Sequence, residues 1–327
     1  MRTKKIGRTE VEVSIVGLGA SALGIPDRAS LDLQYGRNST GQVYMNEDLG
    51  VRTVHAALEA GATLIDTSPW YGSGTSELII ARAFRERPDL KERCFVTTKV
   101  GHLYLGDNFD YSYDAVMRSV EGSQRRLEQN HFRIVYLHDP MGQDMSFVMS
   151  QKGALGGLRR LQSERVIDYI GVAANDPETN ADYIETGEFD AAVVPSAWTL
   201  INQTAFRRIL PAAIKWNVGI VGAAPIERGL LVTGPPKKNI EYLGRVFPGE
   251  CLDHVAKIQA LCQEFNVPLA AAALQWCTLH PQVASVIPGA QIPEEARQNT
   301  LAGSYEIGDD FWSALKPLVR HWDFYST

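Results

Sequence analysis

Short apolar runs of β-type residues alternate along this chain with longer segments whose apolar positions return every three or four residues. The runs lie at Ser14–Leu18, Thr63–Ile65, Phe95–Thr98, Ile134–Leu137, Tyr169–Val172, Ala191–Val194, Gly219–Val221 and Ala284–Ile287. Helical periodicity marks Asp48–Ala60, Ser76–Arg87, Tyr113–Gln129, Gly153–Glu164, Pro177–Thr186, Gln203–Trp216, Cys251–Phe265 and Pro293–Gly303. Strand then helix, eight times over, predicts an α/β fold, a (β/α)8 TIM barrel spanning 1–327 as one domain. Three pieces fall outside the repeat. Lys4–Val13 reads as a β-hairpin able to plug the barrel bottom. Leu23–Glu47 and the Pro/Gly-rich Glu227–Gly249 are too long for ordinary connections and follow strand ends, so both should overhang the functional face. Asp309–Tyr325 reads as a final, aromatic-rich helix leaning on the pocket rim.

The polar residues at the ends of these runs carry the chemistry. Asp66 follows Ala62–Ile65, Lys99 follows Cys94–Thr98, His138 follows Arg133–Leu137, and Tyr71 lies in the loop after Asp66. Strand C-termini form one face of a barrel, so the four converge there. A tyrosine phenol, with a reference pKa of about 10, serves as acid or base near neutrality only if a cation stabilises its phenolate. Lys99 can supply that cation, Asp66 can hold the ammonium, and His138 can donate to the same carbonyl oxygen that Tyr71 protonates. This suits carbonyl reduction or alcohol oxidation. Since no side chain stores hydride, a nicotinamide cofactor is implied. Taken singly, each residue has an ordinary explanation: a helix cap for Asp66, loop packing for Tyr71, a solvated charge for Lys99 and a turn for His138. Their joint occurrence at strand ends argues for the site. Trp70, His102 and Asp139 are candidate pocket-wall residues, and Trp198 can flank nicotinamide or substrate; simple packing explains each equally well.

Composition narrows the function class. The 327 residues carry a net charge of −6, with Lys and Arg scattered, which leaves no basic footprint for nucleic acid. Cys94, Cys251, Cys262 and Cys277 show no C-x-x-C spacing and read as reduced thiols of a cytoplasmic protein. No signal-peptide pattern and no membrane-length apolar run is present, so a membrane partner is not expected. Neither a G-x-S-x-G elbow nor a metal-ligand spacing occurs, and no metal is expected.

Asp66-Thr-Ser-Pro-Trp-Tyr71-Gly, Thr97-Thr-Lys99 and Tyr136-Leu-His138 resemble, in order and context, the four catalytic positions of the aldo-keto reductase family. Gly171-Val-Ala-Ala-Asn175 and Ile287-Pro-Gly-Ala290 resemble its cofactor-binding segments. The resemblance covers nearly the whole chain. It implies an NAD(P) cofactor extended across the C-terminal face and Tyr71 as general acid/base. It further implies Asn175 on the nicotinamide amide, Pro288, Gly289, Ala290, Gln291 and Glu295 along the adenosine end, and Gln298 and Asn299 toward the adenine. Gly17-Leu-Gly-Ala-Ser-Ala-Leu-Gly24, Asp66-Thr-Ser-Pro, Phe109-Asp-Tyr-Ser112 and Leu137-His-Asp139 look most like the sugar 1-dehydrogenase branch, which includes D-threo-aldose (L-fucose), L-galactose and pyridoxal dehydrogenases.

Two departures from the family pattern matter. Many relatives place basic residues around the adenosine 2′-phosphate where this chain has Gln291 and Glu295, so NAD is expected over NADP, with Arg297 as the nearby cation that could reverse the preference. Gly222-Ala-Ala224 replaces an aromatic that stacks on nicotinamide in many relatives. The expected activity is oxidation of C1 of a free aldose to the lactone, with a small-molecule sugar or aldehyde as partner and the oligomeric state open. The alternatives are aldehyde or ketone reduction, pyridoxal oxidation, or a nucleotide-binding sensor barrel.

Overall fold

Residues 1–25, 45–102, 108–235, 241–242 and 245–322 are described by the structure, a computed structural model. An antiparallel hairpin, β1 (Thr3–Lys5) and β2 (Glu12–Ser14), precedes an all-parallel sheet of eight strands. These are β3 (Leu18–Gly19), β4 (Leu64–Asp66), β5 (Phe95–Val100), β6 (Phe132–His138), β7 (Ile167–Ala173), β8 (Ala191–Pro195), β9 (Gly219–Ala223) and β12 (Val283–Ile287). Two short antiparallel strands, β10 (Glu241–Tyr242) and β11 (Arg245–Val246), lie outside the sheet. Parallel bridges Val16 to Val286 and Gly19 to Gly289 join the first strand to the last and close the barrel. Closure needs a glycine: a Cβ on Gly19 would lie 2.7 Å from the Ile287 carbonyl oxygen.

The barrel strands are covered on both faces, and the residue type alternates with the pleat. Leu64, Ile134, Tyr136, Ala173, Ala191, Val193, Val221 and Ala284 fill the barrel interior with Ile6, Val11 and Val13 of the hairpin. Ile65, Val96, Val100, Val135, Leu137, Ile170, Val172, Ala192, Val194 and Ile220 point outward to the helices. The hairpin thus plugs one end of the barrel. Lys4 Nζ fastens it by donating to the carbonyls of Thr278, His280 and Val283 at 2.9, 3.0 and 2.8 Å. Inside, the Tyr136 ring occupies the space beside Gly171, where a Cβ would lie 2.2 Å from the ring.

The outer layer comprises α1 (Glu47–Glu59), α2 (Thr75–Glu86), α3 (Tyr113–Leu127), α4 (Ala154–Ser163), α5 (Pro177–Glu185), α6 (Ile209–Trp216), α7 (Gly249–Glu264), α8 (Leu269–Leu279), α9 (Pro293–Ala302) and α10 (Asp309–Leu315). Four expectations need correction. Ser14 belongs to the hairpin, so β3 is shorter than Ser14–Leu18. The segment Gln203–Trp216 is broken, with a 3-10 turn at Thr204–Phe206 before α6. The helix that packs on β12 is α8, which lies outside the predicted segments; α7 instead packs with α8 and α10 in a second core containing Val255, Ile258, Leu269, Ala272, Phe311 and Leu315. The final helix is also shorter than Asp309–Tyr325, giving way after Leu315 to a 3-10 turn. Most of Leu23–Glu47, part of Glu227–Gly249 and residues 323–327 lie outside the described residues.

Candidate active site

Adjacent strands β4, β5 and β6 set the site. Asp66 ends β4, Lys99 is the penultimate residue of β5 and His138 ends β6. Each is in phase with interior positions of its own strand, namely Leu64, Phe95 and Ile134, so the two-residue repeat turns all three into the barrel mouth. Lys99 is 1% exposed, and its three ammonium hydrogens match three acceptors: Asp66 Oδ2 at 2.5 Å, the Thr67 carbonyl at 2.8 Å and Tyr71 Oη at 3.2 Å. Thr97 donates from Oγ1 to the other oxygen of Asp66 at 2.8 Å. A buried charge is tolerable only when paired and hydrogen-bonded, and both conditions hold here. Tyr71, in the turn after β4, presents its ring edge to His138 at 5.9 Å between centroids.

His138 is held neutral. Burial lowers its pKa well below the ordinary value, and the charges of Lys99 and His102 act in the same direction. Ser68 Oγ lies 3.2 Å from His138 Nδ1 and already accepts from the Trp70 backbone N–H, so its hydroxyl hydrogen is free to point at the ring. With Ser68 donating to Nδ1, the ring carries its proton on Nε2 and can present a neutral donor to the pocket. Tyr111 clamps the strand end from beneath, its hydroxyl shared between the carbonyls of His138 and Asp139 at 2.6 and 2.7 Å. Thr97, Ser68 and Tyr111 were not singled out from sequence, although each lies within a motif that was.

The proton that His138 refuses has a consequence for stability. The unfolded chain binds it near pH 6.5, the native site only at lower pH, so stability falls as pH drops below about 6.5, by up to ~1.4 kcal/mol per pH unit. Thermal melts between pH 7.5 and 5 should show this decline, and His138→Asn should flatten it. An unchanged slope in the variant would assign the proton elsewhere.

Trp70, His102 and Asp139 all border the tetrad. The His102 ring lies 4.3 Å from both Trp70 and Phe109, forming an aromatic wall, and is 5.4 Å from His138. Asp139 has a left-handed backbone (φ 48°) and accepts from the Asn175 backbone N–H at 2.9 Å and from its Nδ2 at 3.0 and 3.2 Å. Burial raises its pKa. Folding also brings ligand atoms of His102, His138 and Asp139 within 4.8 Å of one another, a grouping that sequence spacing did not reveal. Trp198 is placed differently: its N–H donates to the Cys277 carbonyl and its ring stacks on Trp276 at 4.8 Å, so those contacts are with α8.

The segment after β12 carries the residues expected to line a cofactor. Glu295 accepts from the Gln291 backbone N–H at 2.8 Å, folding its carboxylate back over the turn. Gln291 donates to the Ile25 carbonyl at 3.2 Å. Asn299 is buried and donates to the Gly289 carbonyl at 3.3 Å, bracing the Pro288-Gly289-Ala290 turn. Arg297 and Gln298 are both tied to Glu294, at 3.2 and 2.8 Å. Beyond β9, Ala224, Glu227 and Arg228 adopt left-handed backbones (φ 49°, 45° and 58°). Such strain costs about 1–3 kcal/mol per residue and collects at functional loops.

The matching family profile is the Aldo/keto reductase family, over residues 32–320. The chain belongs to this family. As an aldo/keto reductase, it is 28% identical to D-threo-aldose 1-dehydrogenase of Pseudomonas sp, covering 94% of this chain and 96% of the relative. It is 27% identical to pyridoxal 4-dehydrogenase of Microbacterium luteolum, covering 96% of each. Among solved structures, the holo form of an aldo-keto reductase from Bacillus halodurans superposes with a TM-score of 0.77 at 22% identity, covering 98% of this chain and 96% of that one. Aldo/keto reductases are oxidoreductases that use NAD(P)H. Among the described residues, no helix is long and apolar enough to cross a membrane.

Proposed function

We propose that this aldo/keto reductase, acting in the cytoplasm with residues 1–327 as one unit, is an NAD-preferring aldose 1-dehydrogenase. It oxidises C1 of a free sugar of the L-fucose, D-threo-aldose or L-galactose type to the lactone. The observation that carries the reading is the chain of contacts from Asp66 through Lys99 to Tyr71, at 2.5 and 3.2 Å, beside a neutral His138. Tyr71, as the phenolate that Lys99 stabilises, takes the proton of the anomeric hydroxyl and becomes the phenol, Asp66 holds Lys99, and the His138 Nε2–H orients the substrate oxygen. A bound nicotinamide nucleotide supplies the hydride acceptor that no side chain offers.

The residues present fit such a cofactor. Asp139 engages the Asn175 amide hydrogens, which leaves Asn175 Oδ1 to accept from a carboxamide. Pro288, Gly289, Ala290, Gln291, Glu295, Gln298 and Asn299 would line its adenosine end. NAD is favoured there because the Glu295 carboxylate covers the turn at Gln291, while Arg297 is engaged by Glu294. The Trp70 and His102 wall also suits a flat ring, and oxidation of pyridoxal is the second reading.

A panel of aldoses and pyridoxal, run with NAD and NADP at matched concentration, tests the proposal. Turnover of at least one aldose, with a higher kcat/KM for NAD, is expected. Gln291→Arg combined with Glu295→Arg should move the cofactor ratio toward NADP by tenfold or more, since a charged hydrogen bond contributes about 1.5–3 kcal/mol. Tight nucleotide binding without turnover of any substrate would instead indicate a sensor.

A further inference from the structure

At the pocket wall, His102, His138 and Asp139 are all buried and bring three ligand atoms within 4.8 Å of one another. We propose that they form a binding site for one divalent transition-metal ion, with zinc the best match, and that its occupancy closes the pocket to substrate. Metal binding stands on this geometry alone; the inhibition rests on the proposed role of His138.

Two imidazoles and a carboxylate make a recognised three-ligand zinc set, with a fourth position left for water. Zinc bonds of 2.0–2.2 Å in a tetrahedron place neighbouring ligand atoms about 3.4 Å apart. His138 Nε2 and Asp139 Oδ2 are 3.6 Å apart. The remaining separations are at most 4.8 Å and close with a shift of the His102 ring, which Trp70 and Phe109 flank at 4.3 Å. An outer shell is already in place. Ser68 Oγ sits 3.2 Å from His138 Nδ1 and can reverse its role, accepting from Nδ1–H so that Nε2 offers a lone pair. Asp139 can bind through Oδ2 while Oδ1 keeps the Asn175 backbone N–H at 2.9 Å. The nearby Lys99 charge is offset by Asp66 at 2.5 Å, so Asp139 supplies the net negative charge that a cation requires. A metal held this way takes the same nitrogen that would orient a substrate oxygen. Magnesium and calcium, which prefer oxygen shells, should not compete.

The test is titration of the purified full chain with zinc chloride by calorimetry, with cobalt(II) absorption as a second readout. One zinc per chain and tetrahedral cobalt bands are expected, with no response to magnesium. His102→Ala should weaken zinc at least tenfold, Asp139→Asn should do the same, and His131→Ala should leave it unchanged. Where an aldose is turned over, zinc should inhibit competitively with the sugar, and His102→Ala should shift that inhibition constant by the same factor relative to its own uninhibited rate. No zinc binding, or wild-type affinity in His102→Ala, would overturn the proposal. Failure of every sugar in the panel would not affect the calorimetric result, so the two readings fail separately.

Discussion

Replacing Tyr71 by Phe should lower kcat by ~10²–10⁴-fold, the usual cost of removing a general acid or base, while nucleotide affinity stays within a few-fold of wild type. The variant removes only the oxygen that Lys99 contacts at 3.2 Å. Lys99 keeps Asp66 and the Thr67 carbonyl, so the buried charge remains satisfied and the fold should be intact. Steady-state kinetics on the best sugar of the panel, together with fluorescence titration of the nucleotide, make the comparison. A folded variant retaining more than about half of the wild-type kcat would remove Tyr71 from the proton-transfer role.

Lys99→Met should be costly in both stability and rate. It leaves the Asp66 carboxylate, 3% exposed, without its cation, and breaking a buried pair from one side costs about 3–5 kcal/mol. Urea unfolding should report this loss, and kcat/KM should fall because the phenolate of Tyr71 loses its stabilising charge. The cycle with Asp66→Asn separates the pair from its surroundings. In the Asp66→Asn background, Lys99→Met should destabilise far less, since a neutral amide does not need the ammonium. Equal costs in both backgrounds would mean that the short Lys99 to Asp66 contact contributes nothing specific.

Why some of this molecule is readable from its sequence follows from how each part is stabilised. The barrel strands are short and buried on both faces, so their apolar runs stand out locally, and the alternation of interior and exterior residues puts Asp66, Lys99 and His138 on one side without reference to any distant contact. The hairpin at Lys4–Val13 is likewise local, its turn lying between paired strands. Helix α8 was missed for the opposite reason. Its sequence, Leu-Ala-Ala-Ala-Ala-Leu-Gln-Trp-Cys-Thr-Leu, lacks a polar stripe because Ala271, Leu274 and Cys277 pack toward the barrel while Leu269, Ala272 and Ala273 enter the second core. A helix sandwiched between two cores has no amphipathic period to read.

The sequence by itself determined the alternation of strands and helices, the polar residues at strand ends and the motifs that point to the family, because each of these is written in neighbouring residues. Tertiary structure alone decided which groups meet. Ser68 reaches His138 across 70 positions of chain, Asp139 holds Asn175 across 36, and Trp198 turns onto Cys277 across 79. His102 joins His138 and Asp139 in a ligand cluster in the same way. Hydrogen bonds and ligand geometry depend on separations of a few tenths of an ångström, which spacing along the chain does not encode; closure of the barrel sets them.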